Sequence, residues 1–381
     1  MRPVARQLLL TSCVNASQRR ADVELRLMVT AVQGDFGQGF VKALRLSNTP
    51  SEIHGCDVSG AGVGATFVDS FAVVPPASTG QTYVDRLDRL CADLGIHAVV
   101  PGSPAEIDAL CRLSSPPALP SGVPVVCLDA KYRDVFDDKL LCYRALEGQV
   151  DLAPYADGED PEAVRLLVAR HGFPVIVKRR RGQGGLSFHV VGRMEELAPA
   201  IAATPGPVVQ GFIDEAQGEY SIGLFAANGQ ETAIAFRRRL GRTGSSWSAE
   251  TVNDPEVLDY ARAIARESGL RGSANVQVRK SSKGVRLLEV NARFSSLAPV
   301  RAWAGFRDVE WSVDLALGRT PVLPRENYRP LRFQRFVHEM VDDGSGFACV
   351  PEWTPGLNRG VLADVNPASS AGAAPRELPL R

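Results

Sequence analysis

The sequence predicts an α/β protein in two parts, a small parallel α/β unit followed by a larger α+β unit rich in paired strands. Three observations carry that reading. Apolar strands alternate with amphipathic helices from Glu24 to about residue 130. Beyond that point strand-like runs dominate, and two of them meet at an Asn228-Gly229 hairpin turn. Last, "GVRLLEVNARFSS" (284–296) sets Glu289, Asn291 and Arg293 at alternate positions along an otherwise apolar strand. Leaving such groups buried and unpaired would cost several kcal/mol. Either they satisfy one another inside a core, or something charged lies on their face.

Taken in order, "ELRLMVTAV" (24–32) reads as a buried strand, "GDFGQG" (34–39) as a turn and "FVKALRL" (40–46) as the start of a helix. "EIHGCDV" (52–58) and "HAVVP" (97–101) are further strands, and "YVDRLDRLCADLG" (83–95) places Val84, Leu87, Leu90 and Leu94 on one helical face. The Pro-rich "SSPPALPSGVP" (114–124) interrupts the end of this unit, and "DDKLLCYRAL" (137–146) opens the second as a helix. "GFPVIVKRRRGQGGLSFHVV" (172–191) reads as two strands around a basic, glycine-rich loop. "PVVQGFI" (207–213) and the two halves of "EYSIGLFAANGQETAIAFRRRL" (219–240) are more strands. "DPEVLDYARAIARESGL" (254–270) is an amphipathic helix with Pro255 in its first turn. "SANVQV" (273–278) pairs antiparallel with the 284–296 stretch.

At 381 residues the chain can bury a large core, and equal counts of 43 basic and 43 acidic residues remove the broad electrostatic case for a nucleic-acid partner. Seven cysteines without a C-x-x-C pair read as reduced thiols of a cytoplasmic protein. No apolar run has the length of roughly 18–20 residues that a membrane span needs. Residues 1–23 read as a disordered leader, and 346–381 as a C-terminal extension with a disordered, Ala/Ser/Pro-rich end.

Four stretches carry candidate chemistry. In "GDFGQG", followed by Asp57 at the end of the next strand, the spacing is G-x-x-G-x-G rather than the dinucleotide pattern G-x-G-x-x-G. A tight turn without a dinucleotide fits the glycine spacing better, with an NAD(P)-dependent oxidoreductase as the alternative. In "VKRRRGQGG", Lys178 on a strand precedes a glycine loop (Gly182, Gly184, Gly185) able to wrap a triphosphate, or simply forms a solvated hairpin. Glu289 and Asn291, with Gln277 on the partner strand, offer hard oxygen ligands for magnesium already held by phosphates, and Arg293 can reach the terminal phosphate; a buried polar ladder is the other explanation. In "FRRRLGRTG" (236–244), Arg238 could meet a substrate carboxylate or acyl phosphate, unless the run is a solvated edge strand.

In this order the pieces resemble the ATP-grasp superfamily, in the branch with the carbamoyl phosphate synthetase large subunit and many carboxylate–amine ligases. "EVNARFSS" looks like the family's E-x-N-P-R metal motif, with Ala292 where proline is usual. "DDKLLCYRAL" is similar to the helix that opens the ATP-grasp unit, which makes Lys139 a phosphate contact. "FPVIVKRRRGQGG" resembles the lid, and "VVQGFIDEAQGEYSIG" (208–223) the adenine-holding hinge, with Gly211 where glutamate is frequent and "DEAQ" as a short insertion. The hinge resemblance implies adenine contacts from Gln210 and the backbone of Gly211 and Ile213, and a ribose contact from Glu219. "VVPGSPAEIDAL" (99–110) resembles a strand exit where Glu106 would face an amine, and "RFQRFVHEMVDD" (332–343) the closing strand.

The resemblance implies a Rossmann-like pre-ATP-grasp domain at 24–130 and an ATP-grasp domain at 131–345 with a mobile lid at about 155–212. It implies a ligase that activates a small carboxylate, an amino acid among the candidates, as an acyl phosphate and passes it to an amine. Magnesium, with manganese as a substitute, would sit on Gln277, Glu289 and Asn291. Lys139, Lys178 and Arg293 would neutralise ATP phosphates, and Arg238 would steady the acyl phosphate. "RTGSSWSAETV" (242–252), with Trp247, would border the acceptor pocket. Neither nucleic acid nor membrane is an expected partner, and homodimers are common in the family. Bicarbonate-activating carboxylases and carbamoyl phosphate synthetases share the same ATP site, and a non-catalytic ATP-binding relative is a further alternative.

Overall fold

The computed structural model describes residues 25–182, 188–214, 217–240, 246–324, 328–336, 339–342 and 347–349. The expected leader, Gly184, Gly185 and most of the C-terminal extension lie outside them.

The chain opens with β1 (Leu25–Thr30), α1 (Asp35–Arg45), β2 (Ser51–Asp57), β3 (Ser70–Val73), α2 (Gln81–Leu94), β4 (Ala98–Val100) and α3 (Pro104–Leu110). The four strands form a parallel sheet in the order β3-β2-β1-β4. Strand-to-helix connections are tight. A Cβ on Gly37 would sit 2.2 Å from the Ala31 carbonyl oxygen, so this glycine permits α1 to abut the exit of β1. Asp57 is buried and accepts from the backbone N–H groups of Gln33 (2.9 Å) and Ser59 (3.3 Å), so it braces the loop instead of presenting a ribose acceptor. Glu106 is likewise enclosed, accepting from Thr30 Oγ1 (2.7 Å), Ser103 Oγ (2.9 Å) and the Tyr83 hydroxyl (3.2 Å). Its expected place facing an amine is corrected: with 5% exposure it ties β1, α2 and α3 together, and burial pushes its carboxyl up.

Next come α4 (Ala130–Phe136), α5 (Lys139–Leu146), β5 (Tyr155–Asp157), α6 (Pro161–His171), β6 (Val175–Arg179), β7 (Phe188–Val191), α7 (Met194–Ala202) and β8 (Pro207–Gly211). Strands β5-β8-β6-β7 form a small antiparallel sheet. Its valines, Val175, Val177 and Val209, pack against Val164, Leu167 and Leu197 of α6 and α7.

The main sheet is antiparallel, in the order β13-β12-β9-β10-β11-β14. It is built from β9 (Glu219–Ala227), β10 (Gln230–Leu240), β11 (Ser246–Val252), β12 (Gly272–Ser281), β13 (Gly284–Asn291) and β14 (Arg332–Gln334). Asn228 (φ 53°) and Gly229 (φ 76°) both take positive φ, the backbone of the hairpin turn their sequence announces. Helix α8 (Pro255–Ser268) is capped by Asp254, whose side chain accepts from Glu256 N and Val257 N, and ends at Gly269 in the left-handed region.

The two faces of this sheet differ. Tyr220, Ile222 and Leu224 of β9 join α5 and α8 in one apolar core, while the alternate residues Glu219, Ser221, Gly223 and Phe225 look the other way. That second face grades from charged to apolar, ending in Phe225, Phe236 and Trp311. Helices α9 (Ala298–Ala304) and α10 (Asp308–Ala316) cover it and also pack Ala298, Ala302 and Val309 into the core of the first sheet, against Leu27, Phe40 and Val41. The fold divides after Phe336. The second unit holds an antiparallel pair, β15 (Met340–Asp342) and β16 (Phe347–Cys349). Among the described residues no helix is long and apolar enough to cross a membrane.

Candidate active site

A bulge in β13 creates the polar ladder. Gln277 pairs with Glu289 but Val278 pairs with Leu287, so Leu288 is an extra residue on β13. Strict alternation would put Val285, Leu287 and Glu289 on one face. The bulge reverses the phase: Val285, Leu287 and Val290 all enter the core, and Glu289 and Asn291 turn to the opposite face. Released from the ladder, the Leu288 carbonyl accepts from the Tyr143 hydroxyl (2.7 Å) and Lys178 Nζ (3.2 Å).

The polar groups then satisfy one another. Asn291 Nδ2 donates to Glu289 Oε1 (3.1 Å), and Arg293 Nη2 donates to Asn291 Oδ1 (3.2 Å). Lys139, at the start of α5, brings Nζ to 3.2 Å from Glu289 Oε2 and donates to the Gly182 carbonyl at 3.3 Å. Burial raises the Glu289 carboxyl, but Lys139, the Asn291 hydrogen bond and the charge of Lys178 together outweigh it and hold the group below its ordinary value. Lys178 Nζ donates to Gln210 Oε1 and the Tyr143 hydroxyl, both at 2.8 Å. Burial, reinforced by Lys139, lowers Lys178 to about 7 despite the opposing pull of Glu289. Arg293 lies over the Phe36 ring, 4.8 Å from its centroid.

One residue that the sequence reading passed over organises this end of the site. Asp138 is 2% exposed and caps α5, accepting from the N–H groups of Leu140 and Leu141 at 3.1 Å. It also accepts from Arg180 Nε at 3.0 Å, and Lys139 N donates to the Arg180 carbonyl at 2.9 Å. The end of β6, where the glycine loop begins, is therefore fastened to the first turn of α5. The signal was in the sequence, since Asp before "KLLCYRAL" is an N-cap.

Gln277, Arg238 and Glu219 form a second row on the same face. Arg238 Nη2 donates to Glu219 Oε1 (2.7 Å) and Gln277 Oε1 (2.6 Å), and Arg279 Nη2 donates to Glu219 Oε2 (3.0 Å). The side-chain oxygen of Gln277 thus faces Arg238, not Glu289, and the carboxylate of Glu219 is shared by two guanidinium groups. Gln277, Glu219 and Arg238, expected at the metal, the ribose and the acyl phosphate, pair with one another here in a strand-to-strand charge network. At the hinge, Gln210 spans from Lys178 to the Leu287 carbonyl (Nε2, 3.4 Å). Gly211 donates its N–H to the Pro154 carbonyl at 2.8 Å. A Cβ there would meet His171 Nε2 at 2.7 Å, which explains glycine at this position. The Ile213 carbonyl accepts from Arg279 Nη1 at 3.0 Å.

Lys139, Gly182, Glu289 and Asn291 line a cavity of about 170 Å³, together with Arg133 and Asp137. A larger cavity of about 590 Å³ lies beyond Ala292, bordered by Val126, Leu128, Tyr132, Arg293 and Phe294. It is the roomier of the two, but the carboxylate, amide and lysine converge on the smaller one. Among the described residues no cluster of three His, Cys, Asp or Glu side chains is placed to hold a metal. The donor set of the smaller cavity still suits a divalent cation that phosphates help to hold. Glu289 and Asn291 bring two hard oxygens, and Lys139 already supplies a positive charge where a cation would sit.

The chain is similar to known proteins in part of its sequence and in its fold. A family model described as "ATP-grasp in the biosynthetic pathway with Ter operon" matches residues 209–338. In solved structures, the biotin carboxylase domain dimer of Hydrogenobacter thermophilus 2-oxoglutarate carboxylase, with MgADP, ADP and bicarbonate, superposes with a TM-score of 0.64 at 17% identity, covering 80% of this chain and 72% of that one. N5-carboxyaminoimidazole synthetase from Staphylococcus aureus, complexed with ADP, gives 0.60 at 13% identity over 80% and 79% of the two chains. The ATP-grasp likeness is thus carried by residues 209–338 in sequence and by the fold over most of the chain. By sequence, the chain is 26% identical over 197 residues to the arginine-specific carbamoyl phosphate synthase large chain of Geobacillus stearothermophilus. That match covers 47% of this chain and 18% of the relative, so the chain spans only a small part of its curated relative's length. The likeness to the solved structures is one of fold and does not fix the substrates.

Proposed function

We propose that this chain is an ATP-dependent ligase that activates a small carboxylate as an acyl phosphate and joins it to an amine, releasing ADP and phosphate. The observation that carries this reading is the convergence of Lys139, the Gly182 carbonyl, Glu289 and Asn291 on one cavity between the end of β6 and the end of β13. A substrate carboxylate oxygen would bond to the γ-phosphorus as the bridging P–O bond breaks, the electron pair leaving on ADP. The amine would then bond to the acyl carbon as the C–O bond to phosphate breaks, and the amine proton is released. Magnesium held by Glu289 and Asn291 would supply charge neutralisation for the phosphates. Lys139 would turn from Glu289 to a phosphate, and Lys178, fixed by Gln210 and Tyr143, would neutralise a second one. Arg293, at the end of the strand, would face the reacting phosphoryl group. Such positioning and charge compensation account for most catalysis in phosphoryl transfer. The lid expected around Gly182–Gly185, most of which lies outside the described residues, would exclude water from the acyl phosphate.

Gln277 would join the metal only by giving up Arg238, and Glu219 would meet a ribose only by giving up Arg238 or Arg279. The free thiols of Cys56, Cys91, Cys111, Cys127 and Cys142 support a reducing, cytoplasmic setting. The dimer of the Hydrogenobacter domain supports a homodimer.

A second reading is favoured by the likeness to carbamoyl phosphate synthase and the biotin carboxylase domain: the activated carboxylate would be bicarbonate. A phosphate-release screen with acids and amines supplied in pairs, with and without added bicarbonate, decides between them. Release that needs both acid and amine supports the ligase, and release that follows bicarbonate alone supports the second reading. Absence of MgATP binding, above all alongside NAD(H) binding, would overturn both.

A further inference from the structure

The larger cavity, about 590 Å³, has no role in the nucleotide site described above. It falls within the roughly 300–1,000 Å³ that small-molecule pockets occupy. Close-packed interiors keep few voids much larger than a water molecule, so a space of this size needs walls that hold it open. One wall is the segment 116–128, which runs beside β4: Val126 N donates to the Val99 carbonyl (2.7 Å) and Val99 N to the Pro124 carbonyl (2.9 Å). The segment is also folded on itself. Val125 N donates to the Pro117 carbonyl at 2.9 Å, and Leu119 N to the Val123 carbonyl at 2.8 Å. The opposite wall comes from the start of β12, the exit of β13 and the end of α10, at Gly272, Ala292 and Leu315. The two walls meet at Gly272, where a Cβ would fall 2.7 Å from Leu128 Cδ2.

The lining is graded from apolar to charged. Ile107, Pro117, Val126, Leu128 and Tyr132 are buried and make the deep part. The Tyr132 hydroxyl already donates to the Gly269 carbonyl, so the residue offers its ring to the cavity. Lys131 and Arg271 are exposed and mark the mouth, beside the half-buried Asp129. Arg293 is a half-buried guanidinium that belongs to neither group. Its Nη2 donates to Asn291 Oδ1 at 3.2 Å, and Asn291 lines the smaller cavity with Glu289 and Lys139. Arg293 thus stands where the apolar space adjoins the proposed phosphoryl-transfer site.

We propose that the larger cavity is the side-chain pocket of the carboxylate substrate, which is therefore an acid with an apolar aliphatic or aromatic tail. The word substrate rests on the ligase reading, but occupation of the cavity is testable without turnover. Arg293 receives the carboxylate through charge-assisted hydrogen bonds, and the tail fills the space between Pro117, Leu128 and Tyr132. A short acid gains only the first contact, and an uncharged tail only the second. An acid with a charged side chain would lose its water among Ile107, Val126 and Leu128 and find no partner there, so the pocket selects against it.

The test is a ligand-observed NMR titration of the full-length protein, without nucleotide, with acetate, butyrate, hexanoate and 3-phenylpropionate. Hexanamide serves as the uncharged control. Each methylene that enters an apolar pocket strengthens binding by roughly fourfold. Hexanoate and 3-phenylpropionate should therefore bind at least about thirtyfold more tightly than acetate, and hexanamide about tenfold more weakly than hexanoate. Ala118→Trp and Ala316→Trp, which obstruct the cavity from its two walls, should remove the gain with tail length. Arg293→Met should remove the preference for hexanoate over hexanamide and keep the tail dependence, with circular dichroism confirming that the variants are folded. Equal affinity from acetate to hexanoate, or a tail dependence unchanged in both tryptophan variants, overturns the pocket. Hexanamide binding as tightly as hexanoate overturns the acid. MgADP binding, measured by calorimetry on the same samples and expected to be unchanged in Ala118→Trp, reports on the ligase reading separately.

Discussion

Lys178 shows how one side chain links the fold to pH. An ordinary lysine titrates near 10.4, but here it is lowered to about 7 by burial and by Lys139. Between these values the unfolded chain holds the proton and the folded chain does not. Its contribution to stability therefore rises as pH climbs from about 7 toward 10. Phosphates bound beside it would favour the charged form, so nucleotide binding in that window should take up close to one proton. We expect MgADP affinity to fall by up to about tenfold per pH unit above pH 7, with the proton uptake seen by calorimetry in buffers of different ionisation enthalpy. Lys178→Met should bind more weakly at pH 7 and lose the pH dependence; an unchanged slope would contradict the assignment. Much of this site was legible because its residues are neighbours in sequence: Glu289 and Asn291 share one face of β13, as alternation requires, and Arg293 follows in the bend just past it. Asp138 with Arg180, or Arg238 with Glu219 and Gln277, were not, because their partners lie on elements joined only by the fold. A run of basic residues in a sequence does not show which carboxylate each one faces.

At the scale of elements, the decisive feature is the bulge at Leu288. Deleting Leu288 should make Leu287 and Glu289 adjacent, so that regular pairing leaves Leu287 in the core and Glu289 on the polar face while removing the carbonyl that accepts from Tyr143 and Lys178. A folded protein destabilised by about 1–3 kcal/mol, seen as a lowered urea midpoint, is the expected result, and failure to fold would contradict the register. Alternation alone placed Glu289 and Asn291 correctly relative to each other. It did not show how Val285 and Leu287 could avoid their face, because a bulge is set by the partner strand. Helix α8 was legible to its ends: Asp254 caps it, and Lys280 Nζ holds the same carboxylate at 2.6 Å. Asp254→Ala should cost about 1–2 kcal/mol of unfolding free energy, measured by chemical denaturation.

Across the whole molecule, a buried polar knot fixes the main sheet against α9 and α10. Arg301 is fully buried, its Nη1 donates to Asp308 Oδ2 at 3.2 Å, and its Nη2 donates to Asn275, which pairs directly with Asn291. Ser221 and Ser273 complete the set, donating to Asn275 and Asp308 at 2.9 Å each. A Cβ on Gly223 would come within 2.8 Å of Arg301 Nε, so glycine is needed there for space rather than for backbone freedom. Arg301→Met should cost about 3–5 kcal/mol by stranding Asp308, and the Arg301→Met/Asp308→Asn pair should cost less than the sum of its single changes. No local pattern in the sequence announces this knot, since its members come from four separate elements. The knot, the bulge and the Asp138 fastening converge on one claim, that the face carrying Glu289 and Asn291 receives a magnesium-bound nucleotide. Glu289→Gln tests it most directly, since the change keeps shape and removes charge. With MgATP and a productive substrate pair, ADP release should fall by about 10²–10³ or more while circular dichroism stays that of the wild type. A folded Glu289→Gln protein that releases ADP at the wild-type rate would contradict the account.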